Sequence, residues 1–156
     1  MINTFQQDLL RGKEGEEKVA KWLYNRNDFV SLKDVSNDKE YQDKDIDGFV
    51  SLLKNGEIKT YSYDVKNQEK GLKTGKLYIE TVSSVFINSK GCLYKTKADY
   101  WFNVVGNSLY IIPVSELLKY DKEKKYRYVN GGGNSYGYLL PLFDVEKYRK
   151  ELIWFT

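Results

Sequence analysis

The chain has 156 residues, 41% of them hydrophobic and 15% aromatic, enough to bury a core without disulfides or metals, and one domain over residues 1–156 is expected. Its single cysteine, Cys92, excludes an internal disulfide and a Cys-based zinc cluster and suits a reducing cytoplasm, while the absence of histidine excludes Ser-His-Asp and Cys-His hydrolases and zinc proteases. The net charge of +3, from 25 basic against 22 acidic residues, does not by itself define a nucleic-acid partner. Chemistry must therefore use carboxylates, Lys, Tyr or Ser.

In chain order, Lys13–Asn25 predicts a helix, with Val19, Ala20, Trp22 and Leu23 at helical spacing. Met1–Phe5 before it lacks a basic segment followed by an apolar one, so no secretory leader is expected. Phe29–Leu32 predicts a short strand and Asp34–Lys44 a loop. Ile46–Leu53 and Ile58–Val65 read as two strands around Asn55-Gly56, a strong hairpin signal. Leu77–Val82 is a further expected strand, and Ala98–Val105 with Leu109–Pro113 a second hairpin. Ser115 is placed to cap a helix running to about Lys125. Gly131–Gly133 marks a loop, and Asp144–Leu152 predicts a C-terminal helix. No stretch is apolar enough to cross a bilayer. The class is α/β: a helix, a largely antiparallel sheet, then further helices.

The first hairpin carries the chemistry. If Asn55-Gly56 is a two-residue turn, Lys54 faces Glu57, and counting outward Asp47 faces Asp64 and Asp45 faces Lys66. Alternation then puts all four side chains on one face. Opposed carboxylates about 5 Å apart destabilise a sheet. A divalent cation removes that repulsion, and two carboxylates with a backbone carbonyl and water suit Mg²⁺. Acid-X-Lys tripeptides begin at Glu16, Glu57, Asp64 and Glu123. Only Asp64-Val65-Lys66 lies late on a hairpin strand with an Asp opposite.

Asp47, followed seventeen residues later by Asp64-Val65-Lys66, resembles the PD-(D/E)XK nuclease superfamily, with Ile46 where a proline often stands. Arg11-Gly12-Lys13-Glu14-Gly15-Glu16 is similar to the Gly-then-Glu helix opening of archaeal-type Holliday-junction resolvases. Thr74–Glu80 and Lys97-Ala98-Asp99-Tyr100 look like phage and bacterial members. The resemblance covers about Arg11 to Val114. It implies a restriction-endonuclease-like α-β-β-β-α-β core and Mg²⁺-dependent phosphodiester hydrolysis, with Mn²⁺ able to substitute. Asp47, Asp64 and the Val65 carbonyl would hold the ion, and Lys66 would orient water or stabilise the transition state.

Glu16 shares the helix's apolar face with Ala20 and Leu23, whereas Glu17 is spaced to pair with Lys21 in water. Glu16 reads either as a metal or metal-water ligand or as a first-turn acid favoured by the helix dipole. Glu80 would complete the metal shell or face solvent at a strand edge. Asp99 is expected to position backbone. Tyr61 and Tyr63 point away from the catalytic face, into the core.

Two basic segments are candidates for holding DNA: Lys70, Lys73 and Lys76 in a Gly-rich loop, and Lys122, Lys124, Lys125 and Arg127 among tyrosines. The second, with the Gly131–Gly133 loop, Tyr136 and Tyr138, reads equally as a solvated helix end. The expected activity is a structure-selective DNA endonuclease such as a junction resolvase, and a homodimer is compatible with so small a chain. The alternative is a non-catalytic DNA-binding or inhibitory module that keeps the fold.

Overall fold

The computed structural model describes residues 5–152; Met1–Thr4, read above for a leader, lie outside them. Helix α1 (Phe5–Tyr24) starts a full two turns before the expected helix. Its first turns hide from a periodicity reading because Leu9 and Leu10 are exposed, so no apolar stripe marks them. Strand β1 (Phe29–Asp34) and the four-residue helix α2 (Lys39–Gln42) follow. Asp38 caps α2 by accepting from the Glu40 N–H, which places a helical turn inside the expected loop.

Next comes the hairpin of β2 (Gly48–Lys54) and β3 (Glu57–Asn67). Lys54 pairs with Glu57 and Gly48 with Tyr63, without a slip between, so Asn55-Gly56 is the two-residue turn that the sequence predicts. Both turn residues have positive φ, 50° and 81°, as this turn type demands. The chain continues through α3 (Gly71–Thr74), β4 (Lys76–Ser84), β5 (Ser89–Lys90) and α4 (Cys92–Lys95) to the second hairpin, β6 (Tyr100–Val105) and β7 (Ser108–Pro113).

Helix α5 (Val114–Lys122) opens directly after Pro113. Ser115 is therefore inside its first turn, not the cap: the Val114 N–H donates to the Asp99 carbonyl instead. The helix stops short of Lys125 because Lys124 is left-handed, at φ 53°. Strands β8 (Tyr128–Asn130) and β9 (Tyr136–Pro141), a 3₁₀ segment (Leu142–Tyr148) and β10 (Arg149–Glu151) complete the order. The expected C-terminal helix is thus replaced. The 3₁₀ turns break at Val145, which has non-helical angles, and Arg149–Glu151 then pairs along β7.

These strands form a six-stranded sheet, β1-β2-β3-β6-β7-β10, and a four-stranded sheet, β5-β4-β9-β8. Among the described residues the ladder of β3 with β6 is parallel and the other ladders are antiparallel. The class is a mixed α/β fold. Alternation along β6 sorts two cores. Phe102 and Val104 pack with Val19 and Leu23 of α1 on one face. Trp101 and Val105 pack with Leu77, Ile79, Tyr138 and Leu117 of the second sheet and α5 on the other. Asp64 pairs with Trp101 and Lys66 with Asn103. Both side chains therefore emerge on the face covered by the second sheet, and Tyr63 and Val65 on the face covered by α1.

Candidate active site

Asp47 lies one residue outside the ladder, its N–H donating to the Tyr63 carbonyl at 2.9 Å. Its carboxylate turns toward β3 and accepts from the Val65 N–H at 2.7 Å through Oδ2. That bond fixes Asp47 beside Asp64, as the register requires. Asp45 does not continue the pattern. It sits at φ 48° in the turn after α2, where its N–H donates to the Gln42 carbonyl, so it opposes no residue of β3. It still acts on Lys66 electrostatically.

Asp64 is 4% exposed. Its Oδ2 is buried and receives no hydrogen bond, although Lys66 Nζ lies 3.2 Å away as an ion pair. The Lys66 ammonium also sits 5.1 Å from the centre of the Trp101 ring. Burial pushes the Asp64 carboxyl well above the ordinary carboxylate range; Lys66 opposes that shift, and Asp47 adds to it by like charge and by bonding the protonated form. Burial is the largest influence on the Lys66 ammonium and would weaken it, but the attractions of Asp64, Cys92 and Asp45 together outweigh it and hold the lysine charged.

Gly15 brings the third carboxylate. A Cβ there would come 3.3 Å from Asn67 Cβ and 3.4 Å from Val65 Cγ1, so the glycine lets α1 lie close to β3 without crowding those side chains. The Asn67 side-chain amide donates to the Arg11 carbonyl at 2.9 Å and ties the same turn down. Glu16 then points to the sheet end, where burial, Asp47 and Asp34 raise its carboxyl to about 7 against the pull of Lys13. Since α1 begins at Phe5, Glu16 is no first-turn residue, and the helix-dipole account of it falls. Glu17 is exposed, as expected.

Asp34 escaped the sequence reading, which left it in a loop. It ends β1 opposite Gly48 and accepts from Ser36. The signal was present in the run Phe29–Asp34, where a strand extended by two residues would have carried an acid to the Asp47 end of the sheet.

Glu80 stands on β4 of the second sheet, not on the sheet that carries Asp64. Its Oε1 accepts from the Cys92 N–H at 3.3 Å and lies 3.6 Å from Cys92 Sγ. With Val65, Lys66, Tyr78 and Trp101 it lines a cleft of about 400 Å³. Among the described residues, no three His, Cys, Asp or Glu side chains are grouped as a ready-made metal site. Asp99 positions backbone: it accepts from the Ser62 N–H at 2.9 Å.

The basic candidates divide in the same way. Lys70, Lys73 and Lys76 are exposed around α3, directly after the end of β3. Lys122 and Arg127 are exposed. Lys124 lies 4.9 Å from the Tyr128 ring centre, and Lys125 lies 5.2 Å from that of Tyr120. Tyr138 is removed from any binding surface, because it is 1% exposed and donates to the Leu117 carbonyl.

Because Glu16 holds its proton more tightly than an exposed glutamate, the native state binds more protons than the unfolded chain between pH 4.5 and about 7. The metal-free protein should lose stability as pH rises through that window and carry the whole penalty above it. Glu16→Gln should flatten this leg and raise stability at pH 8 by about 1 kcal/mol, a value reduced for the half-exposed carboxyl. Urea unfolding across pH reads it; an unchanged slope would mean that Glu16 is solvated.

No family model matches the chain, and no curated protein does either. The chain is similar to a solved structure of a nuclease from a fusselovirus, at 18% identity and a TM-score of 0.43, over 97% of this chain and 90% of that one. Likeness at that level carries no inference about chemistry.

Proposed function

We propose that the protein is a Mg²⁺-dependent nuclease that hydrolyses phosphodiester bonds in DNA, with a PD-(D/E)XK arrangement of Asp47, Asp64 and Lys66. One observation carries the reading: the Asp64 carboxylate, 4% exposed, is packed against that of Asp47, with the Lys66 ammonium 3.2 Å from its Oδ2. A structural carboxylate in such a place would be satisfied or replaced. A divalent ion suits two adjoining carboxylates that one lysine alone serves. Asp47 and Asp64 would hold it, with the Val65 carbonyl as a further candidate and phosphate oxygens and water completing the shell.

When bound, the ion neutralises charge on the phosphate and makes water a stronger nucleophile. The side chains do the rest. The Val65 N–H fixes the orientation of Asp47. Lys66, kept charged by its acidic neighbours and held over Trp101, offers its ammonium to a phosphate oxygen as negative charge develops. Glu16, which feels the charge of Asp47, would accept a proton from the attacking water. Glu80 and Cys92 line the path by which the scissile strand would reach Lys66. The alternative, a DNA-binding module without hydrolysis, draws on the absence of a three-ligand cluster among the described residues.

Metal and stability provide the test. Asp47→Asn keeps an oxygen for the Val65 N–H but removes one of two facing charges, so the metal-free variant should be more stable by about 0.5–1 kcal/mol. Mg²⁺ at a hundred times its Kd should stabilise wild type by about 2.7 kcal/mol and leave the variant nearly unmoved. Equal shifts in melting temperature would place the ion elsewhere.

A further inference from the structure

The side-chain amide of Gln68 joins the two sheets beside the candidate active site. Gln68 directly follows β3 and stands two residues after Lys66. Its backbone is fixed on both sides: the N–H donates to the Val104 carbonyl and the carbonyl accepts from the Gly71 N–H, each at 2.8 Å. The side chain crosses to β4. Nε2 donates to the Tyr78 carbonyl at 3.0 Å, and Oε1 accepts from the Tyr78 N–H at 3.2 Å.

These bonds fill a gap in the pairing of the second sheet. Tyr78 lies opposite Leu139 of β9, but the Leu139 N–H turns the other way, to the Arg127 carbonyl. The pair is therefore of the kind that exchanges no hydrogen bonds, and the Tyr78 N–H and carbonyl face the other edge of β4. Strand β5 covers that edge only at Val82 and Ser84. An amide side chain offers a donor and an acceptor side by side, so Gln68 stands in for the missing strand. Tyr78 is held from its ring as well. Its hydroxyl and that of Ser135 bond at 3.0 Å, and a Cβ at Gly131 would overlap the ring.

What the amide holds is a wall of the cleft. Gln68 and Tyr78 line the same space as Lys66, Glu80 and Cys92. Glu80 lies two residues beyond Tyr78 on β4, and its Oε1 accepts from the Cys92 N–H. A shift of β4 at Tyr78 therefore carries Glu80 and Cys92 with it. We infer that Gln68 is a positioning residue: its amide clips β4 to the end of β3 and sets how far the wall of Glu80 and Cys92 stands from Lys66. Its effect on cleavage rests on the nuclease reading; the clip does not.

The test reads the wall and the reaction separately. Cys92 is the one cysteine of the chain, so its rate of labelling by dithiodipyridine reports on this wall. In protein shown to be folded by circular dichroism, Gln68→Ala should speed that labelling by about ten-fold through local opening. Gln68→Glu keeps the size but, once ionised, has no proton for the Tyr78 carbonyl. Compared with wild type at each pH, it should label as fast as Gln68→Ala at about pH 8 and as slowly as wild type at about pH 4, where the acid form restores the donor. Unchanged labelling in both variants overturns the inference. So does fast labelling of Gln68→Glu at both pH values, or labelling that rises with urea in step with global unfolding. In Mg²⁺, Gln68→Ala should lower kcat by about ten-fold or more and leave KM nearly unchanged; an unchanged kcat in an active protein also overturns it. Labelling that behaves as expected in a wild type that cuts no DNA removes the nuclease reading and leaves the clip standing.

Discussion

Asp64→Asn is expected to lower Mg²⁺-dependent DNA cleavage by about 10³-fold or more in a protein that still folds. The effect is large because Asp64 serves two partners. It supplies one of the two carboxylates proposed to hold the ion, and it is the partner 3.2 Å from the Lys66 ammonium whose attraction leads those that offset the burial of that lysine. Loss of either function removes several kcal/mol of transition-state stabilisation. The isosteric amide fills the same space, so folding survives. Lys66→Ala should produce a comparable loss of cleavage but also unfold more easily, because it leaves Asp64 buried without a counter-charge; breaking such a pair costs about 3–5 kcal/mol. Single-turnover cleavage with circular dichroism as the folding control reads both variants. Near-normal turnover in folded Asp64→Asn would remove Asp64 from the site.

Gly48→Ala should destabilise the protein by about 2–3 kcal/mol and reduce cleavage with it. Gly48 pairs with Tyr63 across β2 and β3, and a Cβ on it would overlap the Tyr63 ring, with Cε1 only 2.9 Å away. The ring cannot move aside easily, being 5% exposed and stacked on Phe102 at 4.9 Å between centroids. The strand end must shift instead, and Asp47 is the next residue. Tyr63→Leu should lose core packing on its own yet relieve the clash in the double variant. A coupling of at least about 1 kcal/mol in the double-mutant cycle is expected. Additive effects would mean that the backbone absorbs the new methyl without moving Asp47.

The site was legible where it depended on local rules. Asn55-Gly56 dictated the turn, the turn dictated the register, and the register placed Asp47 next to Asp64 and put Lys66 on the same face as Asp64. It stopped being legible at the strand end. Asp45 leaves the sheet because the α2 turn coils the chain back on itself, and alternation cannot foresee where pairing stops. Asp34 and Glu16 reach the site through long-range packing, one at the end of β1 and the other through Gly15 on β3. The second sheet was the larger omission. Tyr136–Pro141 has no polar residue at its alternate positions, only Tyr136 being exposed, and on the first sheet Arg149–Glu151 is exposed throughout, so neither presents the apolar-polar alternation by which a strand is recognised. Glu80 accordingly sits on a different sheet from the pair it was expected to join.

Cleavage itself tests the central claim most directly. Purified wild type is incubated with labelled four-way, flapped, bulged, matched and single-stranded DNA in Mg²⁺ and in EDTA. Cut distorted DNA in Mg²⁺ and intact DNA in EDTA are the expected results. DNA that is bound but left whole in both Mg²⁺ and Mn²⁺, or cut equally well in EDTA, would contradict a metal-dependent nuclease built on Asp47, Asp64 and Lys66.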